Sequence, residues 1–382
     1  MKRTQTGIGL VELLVAAAIA LASTIVIFQV FAGFEGRKRT TTSGAEATEN
    51  GLMALLTIER DGRHAGYGLV GFGRGSDRRL VCHQLTSYTP ATGATTVPLM
   101  PIQISDGGVG SDTITISYST SAFGATPARL IQDAPSSEES ADFVVANSAN
   151  GAMFQPGDHM LVAEPGSPNK PCTRLRVTAA AFDGTAVRLQ HLASIYASNP
   201  PGSVNIFPVA PTIGYLTTPS SPALVVNMGA FARLRYEVVG RAMRWTDIET
   251  NASDEVADNI VMIQAQYGVS ADTLSQDIAQ WVDATGAWAN PSAAEVARIK
   301  EVRVAVVARS SQPEREDVTP ASCATPGGTL NVGPCAWRDD TVASPAPAVS
   351  LAALGADWRR YRYRVFEAVI PLRNVIWGDV NA

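Results

Sequence analysis

From Leu13 to Phe34 the chain runs for 22 residues without a charge, and the residue just before that run is a glutamate, Glu12. At about 1.5 Å per residue a helix of that length reaches about 33 Å, enough to cross the hydrocarbon core of a bilayer. An ordinary secretory signal has an apolar stretch of only about 7 to 15 residues, so the length argues against one. A charge near the centre of a spanning helix costs about 2.5–3.5 kcal/mol on insertion scales, and an acid held inside one is usually paired and functional. A plain one-pass anchor would instead leave Glu12 at the interface, snorkelling among headgroups. Lys2 and Arg3 precede the run and Arg37, Lys38 and Arg39 follow it, so basic residues alone leave the topology open.

The residues around the acid, Gly7-Ile8-Gly9-Leu10-Val11-Glu12, resemble the start of a type IV prepilin. In that superfamily a short basic leader ends in Gly, the cut follows it, and a Glu stands fifth in the mature chain. The resemblance implies cleavage between Gly7 and Ile8 by a prepilin peptidase on the cytoplasmic side, N-methylation of the Ile8 amine, and a subunit-assembly role for Glu12. Ile8 departs from the Phe that often opens the mature chain. An α-amino group titrates near pH 8, so the freed amine is largely cationic at neutral pH. Pairing it with a neighbour's Glu12 in lipid would relieve the burial cost of both charges and set the register between subunits.

The helix is expected to continue to about residue 64, weakened by Gly33, Gly36, Gly44, Gly51 and Gly62 but uninterrupted by Pro. An apolar stripe at Ala45, Thr48, Leu52, Leu55 and Leu56 has the three- and four-residue spacing of one helix face and is expected to pack on a globular domain. Arg60, Asp61, Arg63, Ala65, Gly66 and Tyr67 match the helix-end pattern of PilW-type minor pilins, which the segment from Glu49 to Tyr67 resembles. The spacing alone is compatible with a solvated charged face or with ion-pair support and Gly termination. Two further segments resemble the same family: Arg233–Val238 with Asp258–Val269, and Arg364–Asn374.

Low charge content, 17% of residues, with 32 Gly and 23 Pro suits a β-rich extracytoplasmic domain, and the net charge of -5 carries no nucleic-acid footprint. Alternating strand patterns occur at Asp112–Tyr118, Thr173–Val177 and Ala186–Gln190. Further candidates are Asp158–Ala163, Val204–Pro208, Phe231–Val239, Ala242–Thr246, Ile260–Gly268, Glu301–Arg309 and Tyr361–Ile370. The expected fold is α+β, a long N-terminal helix spine packed on an antiparallel sheet-rich domain. Its divisions are a leader (1–7), a membrane half of the helix (8–34), a periplasmic half (35–66) and a β-rich periplasmic domain (67–382). Within the last, the Pro/Gly-rich stretch near 310–350 is expected as an exposed, Cys-pinned excursion.

Four cysteines in an oxidising compartment point to disulfides, with free buried thiols as the alternative. Cys323 with Cys335 closes a short loop, worth about 3 kcal/mol, and elimination leaves Cys82 with Cys172. No metal or cofactor is expected. His64, His83, His159 and His191 have no ligand spacing, Gly71 to Gly75 reads as a turn rather than a phosphate loop, and no nucleophile elbow is present. Asp272, Asp277 and Asp283 lack calcium-loop spacing and read as solvated, as do Asp339 with Asp340 and Glu314 with Glu316 and Asp317.

The resemblance therefore implies a non-enzymatic minor pilin. It would help initiate a type IV pilus for twitching or adhesion and sit near its tip, waiting before assembly in the inner membrane with its domain in the periplasm. Implied partners are other minor pilins, the major pilin, the prepilin peptidase, the inner-membrane assembly platform and a tip adhesin. A minor pseudopilin of a type II secretion system is the alternative, and a tethered periplasmic adhesion module a third reading.

Overall fold

The computed structural model describes residues 9–69, 82–121, 127–138, 142–146, 153–164, 167, 170–209, 213–217 and 223–377. Gly7, Ile8 and the Gly71 to Gly75 segment lie outside them. The chain is α+β. One helix of 53 residues, Leu10–Gly62, forms the spine, and a short turn region leads from it into a domain built of sheets.

Four antiparallel strands form the central sheet in the order Ile278–Val282, Ile260–Ser270, Ile299–Arg309, Tyr363–Pro371. Every residue of Ile260–Ser270 is buried, and nearly all of Ile299–Arg309. Strands so uniformly buried must be covered on both faces. One face takes the spine helix together with a five-stranded sheet, Ser253–Asp258, Ala242–Asp247, Ala232–Val239, Thr113–Tyr118 and Ile102–Ser105. Ala54, Ile58, Ile116, Tyr236, Ile263, Tyr267 and Val304 share the resulting core.

The other face is covered by the segment expected to be an exposed excursion. Ala336, Trp337, Ala346, Val349 and Leu351 pack on Val261, Met262, Ala305 and Val307. Arg303 pins this cover: its guanidinium lies 5.0 Å from the Trp281 ring centre and 5.2 Å from that of Trp337. It donates to Gln266 Oε1 at 2.7 Å and to the Pro345 carbonyl at 3.0 Å. Asp340, read as solvated, is 5% exposed and accepts from Thr325 Oγ1, the Gly327 N–H and the Ala346 N–H at 2.6–2.8 Å. Buried donors of the loop need an acceptor, and Asp340 supplies it. The Cys323–Cys335 bond closes the same segment.

A separate lobe is built mainly from a six-stranded sheet and a three-stranded sheet, between them spanning Gln84 to Gly229, with its own core around Phe143, Met160, Leu175 and Tyr215. One pairing in it is parallel, Leu85 opposite Cys172 and Thr86 opposite Thr173, and the Cys82–Cys172 disulfide ties the start of that pair. Val204–Pro208 is not a strand. Ile206 and Phe207 are buried as plugs, their N–H groups donating to Ser137 Oγ and Asn205 Oδ1 rather than to a ladder. Where lobe meets base, Glu249 pairs with Arg174 of the lobe and, at 3.2 Å, with Arg233 of the five-stranded sheet.

Candidate assembly surface on the spine helix

The helix has two halves with opposite surroundings. From Leu10 to Phe34 its large apolar side chains stand exposed, among them Leu10, Leu14, Ile19, Phe28 and Phe34. Among the described residues this is the helix long and apolar enough to cross a membrane, and its most apolar stretch has nothing packed on it. Thr24 donates its hydroxyl to the Ala20 carbonyl at 2.7 Å, which leaves that donor satisfied in lipid. Glu12 lies in the first turn and one of its oxygens accepts from the Gly9 N–H at 3.1 Å. A carboxylate there also meets the positive end of the helix dipole.

The second half is packed, but of the expected stripe only Leu55 is buried and Thr48 half-buried, the packed face being turned away from the rest. Ser43, Ala47, Gly51, Ala54, Leu55, Ile58, Asp61 and Gly62 are buried, whereas Ala45, Leu52 and Leu56 are exposed, the two leucines by 44% and 58%. Closeness decides this. A Cβ on Gly51 would stand 2.1 Å from the Phe366 ring, and one on Gly62 would stand 2.8 Å from Ile370. Only the small-residue face lets the helix approach the Tyr363–Pro371 strand. Gly51→Ala is accordingly expected to cost about 1–3 kcal/mol through overpacking, read as a lower unfolding midpoint of the full chain in detergent.

At the helix end the charged cluster divides its work. Asp61 is 4% exposed, accepts from Tyr236 Oη and from Arg60 Nε at 3.0 Å. The Asp61 hydrogen bond holds the Arg60 guanidinium more firmly protonated, while burial first and Asp61 second push the Tyr236 hydroxyl well above the usual phenol range. Arg63 pairs with Glu59 one turn back on the surface. Gly66 takes φ +78°, open to glycine at little strain, and its N–H donates to Ser117 O at 2.9 Å. Asn374 closes the arrangement by donating to the carbonyls of His64 and Ala65 at 3.2 and 3.1 Å. The three motif segments thus meet at one place. Removing the Tyr236 hydroxyl, as Tyr236→Phe, leaves Asp61 short of a partner and is expected to destabilise the chain by about 1–3 kcal/mol in urea unfolding.

A spine half-buried in a sheet domain and half bare and apolar is compatible with a class, that of membrane-anchored subunits with a folded domain beyond the anchor. The more particular likeness comes from comparison. The family described as Type IV Pilus-assembly protein W, PilW, matches residues 226–374. That range holds the central sheet, its cover and the strands bearing Tyr236 and Phe366. It is an assembly family rather than an enzyme family, and the likeness suggests a role in type IV pilus assembly. No curated protein and no solved structure matches the chain. Among the described residues no group of His, Cys, Asp and Glu side chains is arranged to hold a metal ion.

Proposed function

We propose that the chain is a minor pilin that helps initiate a type IV pilus and sits near its tip. The observation carrying this reading is the division of one helix: a bare apolar half with one acid at its mouth, continuing into a half seated on a PilW-like base. In this reading the leader is cut between Gly7 and Ile8, the Ile8 amine is methylated, and Glu12 receives a neighbouring subunit's amine. The domain faces the periplasm until the subunit is extracted from the inner membrane, and the chain itself performs no catalysis. Other minor pilins, the major pilin, the assembly platform and a tip adhesin are the partners this role requires.

The test is deletion with pilus counting, complemented by the full chain and by a variant whose residues 8–34 are replaced by a neutral membrane anchor. Loss of surface pili, not restored by the swapped anchor, is expected. Intact pili with blocked protein secretion would assign the chain to a secretion machine instead, and full rescue by the swapped anchor would reduce the helix to a tether.

A further inference from the structure

The Tyr363–Pro371 strand is the outer edge of the central sheet, and its hydrogen bonding is half used. Leu372 N–H donates to Lys300 O and Ser310 N–H to Arg362 O, so in the unbroken antiparallel register it is the even-numbered residues, Arg364 to Ile370, that bond inward. The N–H groups of Tyr363, Val365, Glu367 and Val369 therefore point outward and have no partner among the described residues. Two other edges, Gly93–Pro98 and Ala179–Phe182, are short, at six and four residues, and three more are guarded in the ways edges usually are. The Ile104 N–H donates to Tyr267 Oη, the Trp281 N–H to Ser344 Oγ, and Ser253–Asp258 carries Asp254, Glu255 and Asp258 beside a bulge. Tyr363–Pro371 is nine residues long, has no bulge, and leaves Val369 41% exposed.

A second observation falls at the same place. At about 100° per residue, Leu52 lies half a turn around the helix from Asp61. Asp61 faces Tyr236 of the five-stranded sheet on one flank, and Gly51 and Gly62 face Phe366 and Ile370 below. Leu52, with Leu56 close to it in angle, consequently overhangs the outer flank, beyond the free edge. Unpaired backbone beneath exposed leucines is what one more strand would cover, its alternate apolar side chains continuing the core under the helix.

We propose that this edge accepts a strand donated by a different pilus subunit, an extended segment with apolar residues at alternate positions. A second copy using the same edge is disfavoured by direction. Between Gly51 and Gly62 the helix advances about 16 Å while the strand advances about 13 Å from Phe366 to Ile370, so helix and strand run nearly together. Two-fold antiparallel pairing of two such edges would point the two spine helices in opposite directions, which chains anchored in one membrane with one topology cannot do.

The inference rests on the pilus-assembly reading and is tested in cells on the full chain. A benzophenone amino acid is placed at Val369, and Val369→Pro is made separately, removing an outward N–H while the inward pairs stay available. The expected results are a crosslink mapping to an extended segment of another pilus subunit, and at least about tenfold fewer pili for Val369→Pro at a normal membrane level. Should that variant not accumulate, Leu52→Lys combined with Leu56→Lys, which leaves the strand itself intact, is expected to give the same loss. A crosslink only to this chain's own residues or to lipid, no crosslink, or normal piliation of the variants overturns the inference. Glu12→Ala runs beside them: if it alone loses pili, the assembly reading stands and the strand-docking inference falls, and if deletion of the whole chain leaves pili intact, the assembly reading itself falls.

Discussion

Glu12→Ala is expected to leave the chain cleaved and membrane-inserted but to abolish its entry into pili. Ala lowers the cost of insertion, so the protein should reach the membrane at least as well. What it removes is the acceptor for a neighbour's cationic amine. Taking away one partner of a buried ion pair costs about 3–5 kcal/mol, because the other charge is left in lipid uncompensated. Lateral association of single helices has no hydrophobic driving force between them, only packing and polar contacts, and a loss of that size exceeds what most such contacts supply. Glu12→Gln keeps the shape and one hydrogen-bonding oxygen but not the charge, so it should recover little. Quantifying the chain in sheared pili against its level in the membrane decides the matter. Equal incorporation of the Ala variant and the unaltered chain would refute the role given to Glu12.

The second large effect is expected from Cys82→Ser with Cys172→Ser. These residues lie 90 positions apart, against 12 for Cys323 and Cys335. If loop closure in the unfolded chain dominates, the long bridge is worth about 4–5 kcal/mol and the short one about 3 kcal/mol. Whole domains are stable by only about 5–15 kcal/mol. Losing the first bridge would thus remove about a quarter or more of that margin, and the lobe would be lost first, since the bond ties its parallel strand pair. Urea unfolding of both double variants and of the unaltered chain, all in detergent, should rank them in that order. An equal shift for both pairs would show that unfolded-state entropy is not the main contribution.

Much of this architecture is legible in the chain. Strand alternation at Asp112–Tyr118 and Ala186–Gln190, and the charge-free run after Glu12, carry their own period, and each became the element its period demands. The helix face was misread for a physical reason. Leu52 and Leu56 are strongly apolar yet exposed, whereas Ala47, Gly51, Ala54 and Gly62 are buried along with Leu55 and Ile58, because Phe366 and Ile370 leave no room for a larger side chain at Gly51 and Gly62. Hydropathy ranks residues by what they gain from burial; contact distance decides which of them fit.

The cover over the second sheet face was missed in a similar way. Trp337, Val349 and Leu351 are isolated apolar residues among Pro, Gly and Ser, with no period to connect them. A usable signal stood elsewhere, in the consecutive apolar residues Ile260 to Ile263 and Val304 to Ala308, which put apolar side chains on both sheet faces and so require a second covered face. Asp340 likewise reads as surface charge, and the cluster holding Asp61 fits a solvated face as well as ion-pair support, because a carboxylate's burial depends on which donors converge on it, and local spacing does not show them: Ala346 and Thr325 for one, Tyr236 for the other.

The amino-acid sequence by itself determined that this chain has a helix able to cross a membrane, an acid at the mouth of that helix, and a strand-rich remainder, because local spacing and local polarity suffice for each. Tertiary structure alone decided which face of the helix is buried, that the Pro/Gly-rich segment is part of the core, and that no described residue pairs with the outer side of Tyr363–Pro371 near Leu52 and Leu56. Those outcomes depend on contacts between residues up to about 300 positions apart, such as Gly51 with Phe366, where steric fit and hydrogen-bond pairing outweigh the propensity of any one segment.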